Sequence, residues 1–144
     1  MKTYFPLIAR VMIAAVLGCA SLLFAIPAAD AMTLGDLQGD YRVVEQGEQP
    51  GRMGAHTEGT TVRFASENGE LVGRVLQPAQ ASFFKSGDVT ISSVYVDDGV
   101  IHCQFSISPG DVRSGIIRVG NSGAMLKVFA QNKEADWYWI LKRI

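Results

Sequence analysis

Residues 100–108 read VIHCQFSIS, with apolar and polar side chains in alternation. Successive side chains of an extended strand point to opposite faces of a sheet, so a period of two residues indicates a strand with one buried face. The apolar face would carry Ile101, Cys103, Phe105 and Ile107. The polar face would carry His102, Gln104, Ser106 and Ser108. The stretch therefore predicts a β-strand that lines a protein core.

The same period of two returns along the chain, and helical periodicity is nearly absent. Val62 and Phe64 alternate with Arg63, for example. The last segment, DWYWILKRI at 136–144, has apolar residues on both faces, which predicts that both faces are covered. In all, the pattern predicts eight strands, at about residues 39–46, 59–66, 70–77, 88–97, 100–108, 114–120, 124–131 and 136–143.

Turn residues separate these strands at short intervals. Asn68-Gly69 and Asp98-Gly99 suit two-residue hairpin turns, because Asn, Asp and Gly tolerate positive φ, and residues 120–123 read the same way. Hairpins between successive strands give a meander, and eight antiparallel strands close readily into a barrel. We therefore predict an all-β fold in which residues 32–144 form a single small up-and-down β-barrel.

The start of the chain has the pattern of an export signal. Lys2 and Arg10 precede an uncharged run at residues 11–29, and Ala29-Asp30-Ala31 follows as a cleavage site. We expect residues 1–31 to be a signal peptide and the protein to be periplasmic or secreted. Two alternatives use the same residues: lipidation at Cys19, which would anchor the protein by its lipid, or an uncleaved membrane anchor. Contact with a membrane is expected only through this segment.

Composition narrows the class of protein. Thirteen Lys and Arg residues against 14 Asp and Glu, without a basic run, argue against a nucleic-acid partner. An apolar fraction of 48% argues against a disordered chain. Cleavage after residue 31 would leave Cys103 as the only thiol, so no intrachain disulfide is expected.

No catalytic or metal-binding arrangement emerges from the sequence. His102 and Cys103 are adjacent, but adjacent strand residues point to opposite faces and cannot form a catalytic pair. We expect Cys103 to be a small buried apolar residue. The predicted mature chain offers one Cys and two His, His56 and His102, which are 46 positions apart and unlike the close spacing of zinc ligands, and no phosphate-binding glycine motif occurs. The sequence therefore predicts a non-enzymatic protein without a cofactor or a metal, and an envelope hydrolase is the weakest reading.

Aromatic residues are the candidate binding groups. Phe64, Phe105, Trp137 and Trp139 would either pack the core or line a ligand site inside the barrel. Two connections are longer than a hairpin needs, at residues 47–58 and 78–87, and the second has room for one helical turn. It carries Phe83 and Phe84, which would either tuck over the barrel end or form an exposed patch that contacts a partner.

Gly39-Asp40-Tyr41 opens the first predicted strand, and Arg143, or Lys142 beside it, closes the last. This layout resembles that of lipocalins and other calycins, in which a Gly-x-Trp motif is packed against by a basic residue near the last strand; here tyrosine takes the tryptophan position. The resemblance implies a non-enzymatic protein that binds small apolar molecules.

Two functions follow from these observations. The first is an exported lipocalin-like protein that holds a small apolar ligand in the barrel, which requires a hollow interior. The second is a protein-interaction module, such as an inhibitor or accessory protein of a bacterial envelope, that binds a partner protein through loops 47–58 and 78–87 and has a filled core. The state of the interior separates the two.

Overall fold

The structure, a computed structural model, describes residues 33–47 and 57–144. The predicted leader with Cys19, together with His56 and most of loop 47–58, lies outside the described residues. The eight strands are β1 Gly39–Gln46, β2 Thr61–Glu67, β3 Glu70–Gln77, β4 Val89–Asp97, β5 Val100–Ser106, β6 Val112–Gly120, β7 Met125–Ala130 and β8 Tyr138–Arg143.

These strands form one closed antiparallel barrel in which each strand pairs with its neighbours in sequence. The first and last strands complete the ring, with Tyr41 opposite Arg143 and Val43 opposite Leu141. Closure gives every strand two neighbours, which leaves no sheet edge to recruit another chain. The prediction of an all-β, up-and-down, eight-stranded barrel is confirmed.

All three predicted turns have the expected positive φ values. Asn68 and Gly69 both have positive φ, at 54° and 84°, and so do Asp98 and Gly99, at 53° and 77°. Consecutive positive φ values define the turn whose twist matches a two-stranded hairpin. The third connection also has consecutive positive φ values, at 50°, 55° and 96° for Asn121, Ser122 and Gly123, and forms a longer, three-residue turn.

The connections between strands are short at one end of the barrel and longer at the other. We call the end that carries the tight turns the hairpin end; it also holds a 3-10 helix at Leu34–Leu37, just before β1. The opposite end carries the longer connections, and we call it the loop end. In the part of the chain that the structure describes, it consists of residues 47, 57–60, 78–88, 107–111 and 131–137.

The interior of the barrel is filled by one row of side chains from each strand. Eleven of these inward side chains have at most 1% of their surface exposed: Tyr41, Val43, Val62, Phe64, Val75, Ile91, Phe105, Leu126, Val128, Trp139 and Leu141. Space is tight around Gly73 as well, where an added Cβ would lie 3.2 Å from that of Ile91.

Two local expectations were wrong, and one possibility was not realised. Ser106 and Ser108 are buried rather than outward-facing, because β5 ends at Ser106 and the chain turns in over the loop end. The outer face of β8 is only half-covered at Tyr138 and Ile140, since no second layer packs on it in the described residues. Residues 78–87 contain turns and no helical turn.

Candidate binding surface at the loop end

The four aromatic residues predicted to line a ligand site are all in the interior. Phe64, Phe105, Trp137 and Trp139 are each buried. Phe105 and Trp139 lie on strands separated by two others, yet their ring centroids are 5.3 Å apart at an interplanar angle of 76°. Edge-to-face contact at this distance is direct ring packing. At this level the interior is therefore filled by side chains.

The two adjacent phenylalanines of the loop at 78–88 separate. Phe84 is 4% exposed, whereas Phe83 is 59% exposed. The ring of Phe84 packs edge-to-face on Trp139, with centroids 5.7 Å apart. Phe84 thus fixes the loop to the barrel, and its neighbour projects outward. Of the two positions expected from the sequence, Phe84 takes the one over the barrel end and Phe83 takes the exposed one.

Hydrogen bonds hold this loop in one conformation. The Gly87 amide donates to the Val75 carbonyl at 2.7 Å, and the Ser86 hydroxyl donates to the Leu76 carbonyl at 2.8 Å. The Ala79 amide donates to the buried Thr60 hydroxyl at 3.0 Å, which joins the loop to the segment before β2. A loop with this many internal bonds presents its exposed side chains with little conformational freedom.

Further apolar side chains are exposed at the same end. Val89 begins β4 and Val112 begins β6, and both are exposed. They flank the end of β5, where Val112 is the strand partner of Ser106 and the Thr90 hydroxyl donates to the Ser106 carbonyl. We refer to Phe83, Val89 and Val112 as the apolar rim. The sequence analysis did not predict these two valines as surface residues. Each is the first residue of a strand, where the alternation of apolar and polar side chains has not yet shown which face is buried.

Charged side chains stand beside the rim. The guanidinium of Arg113 lies 4.1 Å above the ring of Trp137 and donates to the Asp111 carboxylate at 3.2 Å. Lys85 and Asp88 belong to the loop itself, and the Lys85 amide donates to the Asp88 carboxylate. The loop end thus combines apolar side chains with charges of both signs.

Three buried polar atoms have no hydrogen-bond partner among the described residues. They are the indole nitrogens of Trp137 and Trp139 and the hydroxyl of Ser108. All three residues lie at or next to the loop end. No sequence pattern indicates this, because whether an inward indole finds an acceptor depends on its neighbours in the fold.

The geometry around Cys103 and His102 agrees with the sequence. Cys103 is buried, and burial raises the pKa of its thiol to about 12, so it is a thiol and not a thiolate at neutral pH. His102 points outward and stacks on Tyr95, with ring centroids 5.0 Å apart. In the part of the chain that the structure describes, no three His, Cys, Asp or Glu side chains converge as metal ligands.

Among the described residues, no helix has the length and apolar content needed to cross a bilayer. No family model, no curated protein and no solved structure matches the chain. The protein is therefore defined by its architecture, a small closed antiparallel barrel of eight strands with one loop-rich end.

Proposed function

We propose that this protein is an exported, non-enzymatic interaction module that binds a partner protein of the envelope through its loop end, with Phe83 as the anchor. The observation that carries the proposal is the contrast between Phe83 and Phe84. One ring is buried against Trp139, and the next is 59% exposed on a hydrogen-bonded loop.

Such an arrangement favours association with another protein. Burial of a phenylalanine side chain is worth about 1.5–3 kcal/mol, which corresponds to roughly ten- to hundredfold in affinity. Little of this gain is lost to ordering, since the loop is already fixed by Phe84 and its hydrogen bonds. Val89 and Val112 would extend the contact around Phe83.

The filled interior favours this function over a carrier of an apolar ligand. A ligand held in the barrel would have to occupy the space where Phe105 and Trp139 contact each other. The resemblance to calycins implies a non-enzymatic binding role for both candidate functions. In support of that resemblance, the Arg143 guanidinium packs 4.8 Å above the ring of Tyr41.

Export is part of the proposal, and it is supported by the leader pattern at residues 1–31. The described chain begins at the hairpin end, in the 3-10 helix Leu34–Leu37. An anchor attached at Cys19 would therefore be joined to the barrel at the end opposite to the loop end. A chain cleaved after residue 31 would be free to bind with the same surface.

Site-specific crosslinking tests the proposal. A photo-crosslinking residue at position 83 is expected to trap one discrete partner in intact cells, and the same residue at position 95 is not. Tyr95 is the matched control, because it is 55% exposed and lies near the hairpin end. We expect Phe83→Ser to abolish co-purification of the trapped partner and Tyr95→Ser to leave it unchanged. Equal crosslinking at both positions, or a partner still held by Phe83→Ser, would contradict the proposal.

A further inference from the structure

Four cationic side chains form a continuous stripe across the outer wall of the barrel. The stripe consists of Lys142 on β8, Arg42 on β1, Arg63 on β2 and Arg74 on β3, and all four are exposed. Lys142 is the strand partner of Arg42, and Arg63 is the strand partner of Arg74. Arg42 pairs with Thr61, two positions before Arg63, so the two arginines are diagonal neighbours. We call these four cations the basic stripe.

The basic stripe places like charges directly opposite each other twice, an arrangement that destabilises a sheet unless other charges compensate it. The arginines on β2 and β3 each have a bidentate carboxylate partner, Asp40 and Glu67 respectively. Arg42 and Lys142 form no ion pair with an acidic side chain of the described residues. Four cations against two acids leave an excess of positive charge on this wall, in a chain whose net charge is -1.

The charge of the barrel differs between opposite walls. β5 lies opposite β1 in the ring of eight strands, and its turn with β4 carries the exposed acids Asp97 and Asp98. On the side of the basic stripe, the next acid along β1 is Glu45, whose carboxylate accepts a hydrogen bond from the Tyr138 hydroxyl. Val44, on the same strand, adds an exposed aliphatic side chain. One wall is therefore basic and partly apolar, and the opposite one is acidic.

We propose that the basic stripe docks the barrel on an anionic lipid surface, with the headgroup phosphates as its counter-charge. Four neighbouring strands span about 14 Å, so the cations match negative charges that are spread over a plane better than a single small anion. The route of the chain favours the same partner, because the described chain begins at Thr33, six residues before β1. A leader held in a membrane would keep β1 within reach of the bilayer.

This contact goes beyond the proposed protein-binding function, which depends on Phe83 at the loop end. It also adds a second contact to the one expected through residues 1–31. With the basic stripe on the membrane, β5 would face away from the lipid. No basic run in the sequence indicates the stripe, because its members are up to 100 positions apart and meet only where β8 pairs with β1.

Flotation with lipid vesicles tests the proposal. Residues 32–144 are used, because the closed ring contains no residue before Gly39 and no leader can then contribute to binding. These residues contain 11 Lys and Arg against 13 Asp and Glu, so anionic vesicles repel the molecule as a whole. We nevertheless expect binding to millimolar vesicles of equal parts phosphatidylglycerol and phosphatidylcholine, weakening as salt rises, and none to phosphatidylcholine alone.

Removal of the two unpaired cations is the first comparison. Each cation near an anionic bilayer contributes about fivefold in affinity, so we expect Arg42→Gln with Lys142→Gln to weaken binding about tenfold or more. Lys85→Gln with Lys133→Gln is the matched control, because it removes the same charge from two exposed positions at the loop end. The control is expected to bind as the native sequence does. Thermal melting checks the fold, and the first variant is expected to melt no earlier, since it relieves a like-charge pair.

Removal of an acid gives the opposite change. Asp40→Asn releases Arg63 from its ion pair and is expected to strengthen vesicle binding several-fold. Asp98→Asn changes the net charge equally on the opposite wall and is expected to have little effect. Both comparisons separate a local docking surface from a response to net charge alone.

Three results would overturn the inference: no binding to the anionic vesicles, equal binding to neutral ones, or equal effects of the stripe variants and their controls. The first of these is also what a stripe that binds an acidic protein would give. Phe83→Ser is expected to lose the partner protein and still bind anionic vesicles normally. The vesicle-binding and protein-binding proposals therefore fail separately.

Discussion

At the scale of single residues, the filling of the barrel interior depends on small side chains next to large ones. Gly115 lies opposite Cys103 on the neighbouring strand, and a Cβ at this glycine would meet the thiol sulfur at 3.2 Å and the Cβ of Phe105 at 3.0 Å. The absent side chain makes room for Phe105, which reaches across to Trp139. The alternation of side chains in the sequence predicts that Cys103 lies in the interior. It cannot predict that Gly115, two strands away from Trp139, leaves the space in which Phe105 contacts Trp139.

Because the thiol of Cys103 is buried, we expect the free energy of unfolding to fall at alkaline pH. The thiol of Cys103 ionises near 9 in a solvated chain, and burial raises its pKa to about 12 in the fold. Above about pH 9 the unfolded chain loses this proton while the folded chain keeps it. The contribution of Cys103 to stability is therefore present below pH 9 and is lost as pH rises toward 12, by at most about 1.4 kcal/mol per pH unit.

Urea denaturation between pH 8 and about 10.5 measures this dependence. Cys103→Ala is the comparison, because it retains Tyr41, whose phenol pKa is also raised by burial. We expect the free energy of unfolding to fall more steeply with pH in the native sequence than in Cys103→Ala. Parallel curves for the two proteins would show that the thiol is not buried as described.

At the scale of elements, the hairpin end is closed by a latch between the two ends of the described chain. Arg143, in β8, donates to the carbonyls of Gln38 at 2.8 Å and of Asp36 at 2.9 Å, and its guanidinium lies over Tyr41. Tyr41 in turn donates to the Leu37 carbonyl at 2.8 Å. The 3-10 helix before β1 is held by these bonds, and it places the fully buried Leu37 under the barrel.

Loss of this latch is expected to destabilise the protein. Arg143→Met keeps an apolar stem and removes the hydrogen bonds and the charge over Tyr41, so we expect the free energy of unfolding to fall by about 2–4 kcal/mol. Amide exchange at Leu37 is expected to accelerate more than exchange in β4. Chemical denaturation and hydrogen exchange provide the two measurements.

Arg63→Met is the matched control. Arg63 forms a bidentate pair with Asp40, but its side chain is 55% exposed, so the expected loss is below about 1 kcal/mol. Equal losses in the two variants would mean that Arg143 contributes no more than a surface ion pair.

The sequence predicted part of this element correctly. Gly39, Tyr41 and Arg143 were singled out by resemblance, and Arg143 rather than Lys142 makes the contact. Gly39 fits because its φ is +143° and a Cβ there would lie 2.5 Å from the Arg143 guanidinium. The 3-10 helix was not predicted, because four residues carry too little periodicity to signal a helix and its position depends on bonds to Arg143.

At the scale of the whole molecule, closure of the ring brings the ends of the described chain together. The Ile144 amide donates to the Asp40 carbonyl at 2.9 Å, beyond the last strand. The continuity of the barrel therefore depends on the pairing of the strands and not on the point at which the chain begins.

A circular permutant tests this conclusion. We expect a chain in which residue 144 is linked to residue 33 by a short Gly/Ser linker, with new ends between Asp98 and Gly99, to fold into the same barrel, because that turn is exposed and pairs with no other strand. A second permutant with new ends between Lys127 and Val128 interrupts β7 and is expected to lose most of its stability. Circular dichroism and thermal melting compare the two; a failure of the first, or equal melting temperatures, would contradict the expectation.

The sequence by itself determined the strands, their order and their inward faces, because alternation of side chains and the turn residues act over a few neighbouring positions. The tertiary structure alone decided the state of the interior, the separate positions of Phe83 and Phe84, and the absence of acceptors near Trp137 and Trp139 within the described residues. These features arise from contacts between residues far apart in the chain, such as Phe105 with Trp139 or Asp36 with Arg143. Such contacts exist only once the sheet has closed, so no local pattern of residues encodes them.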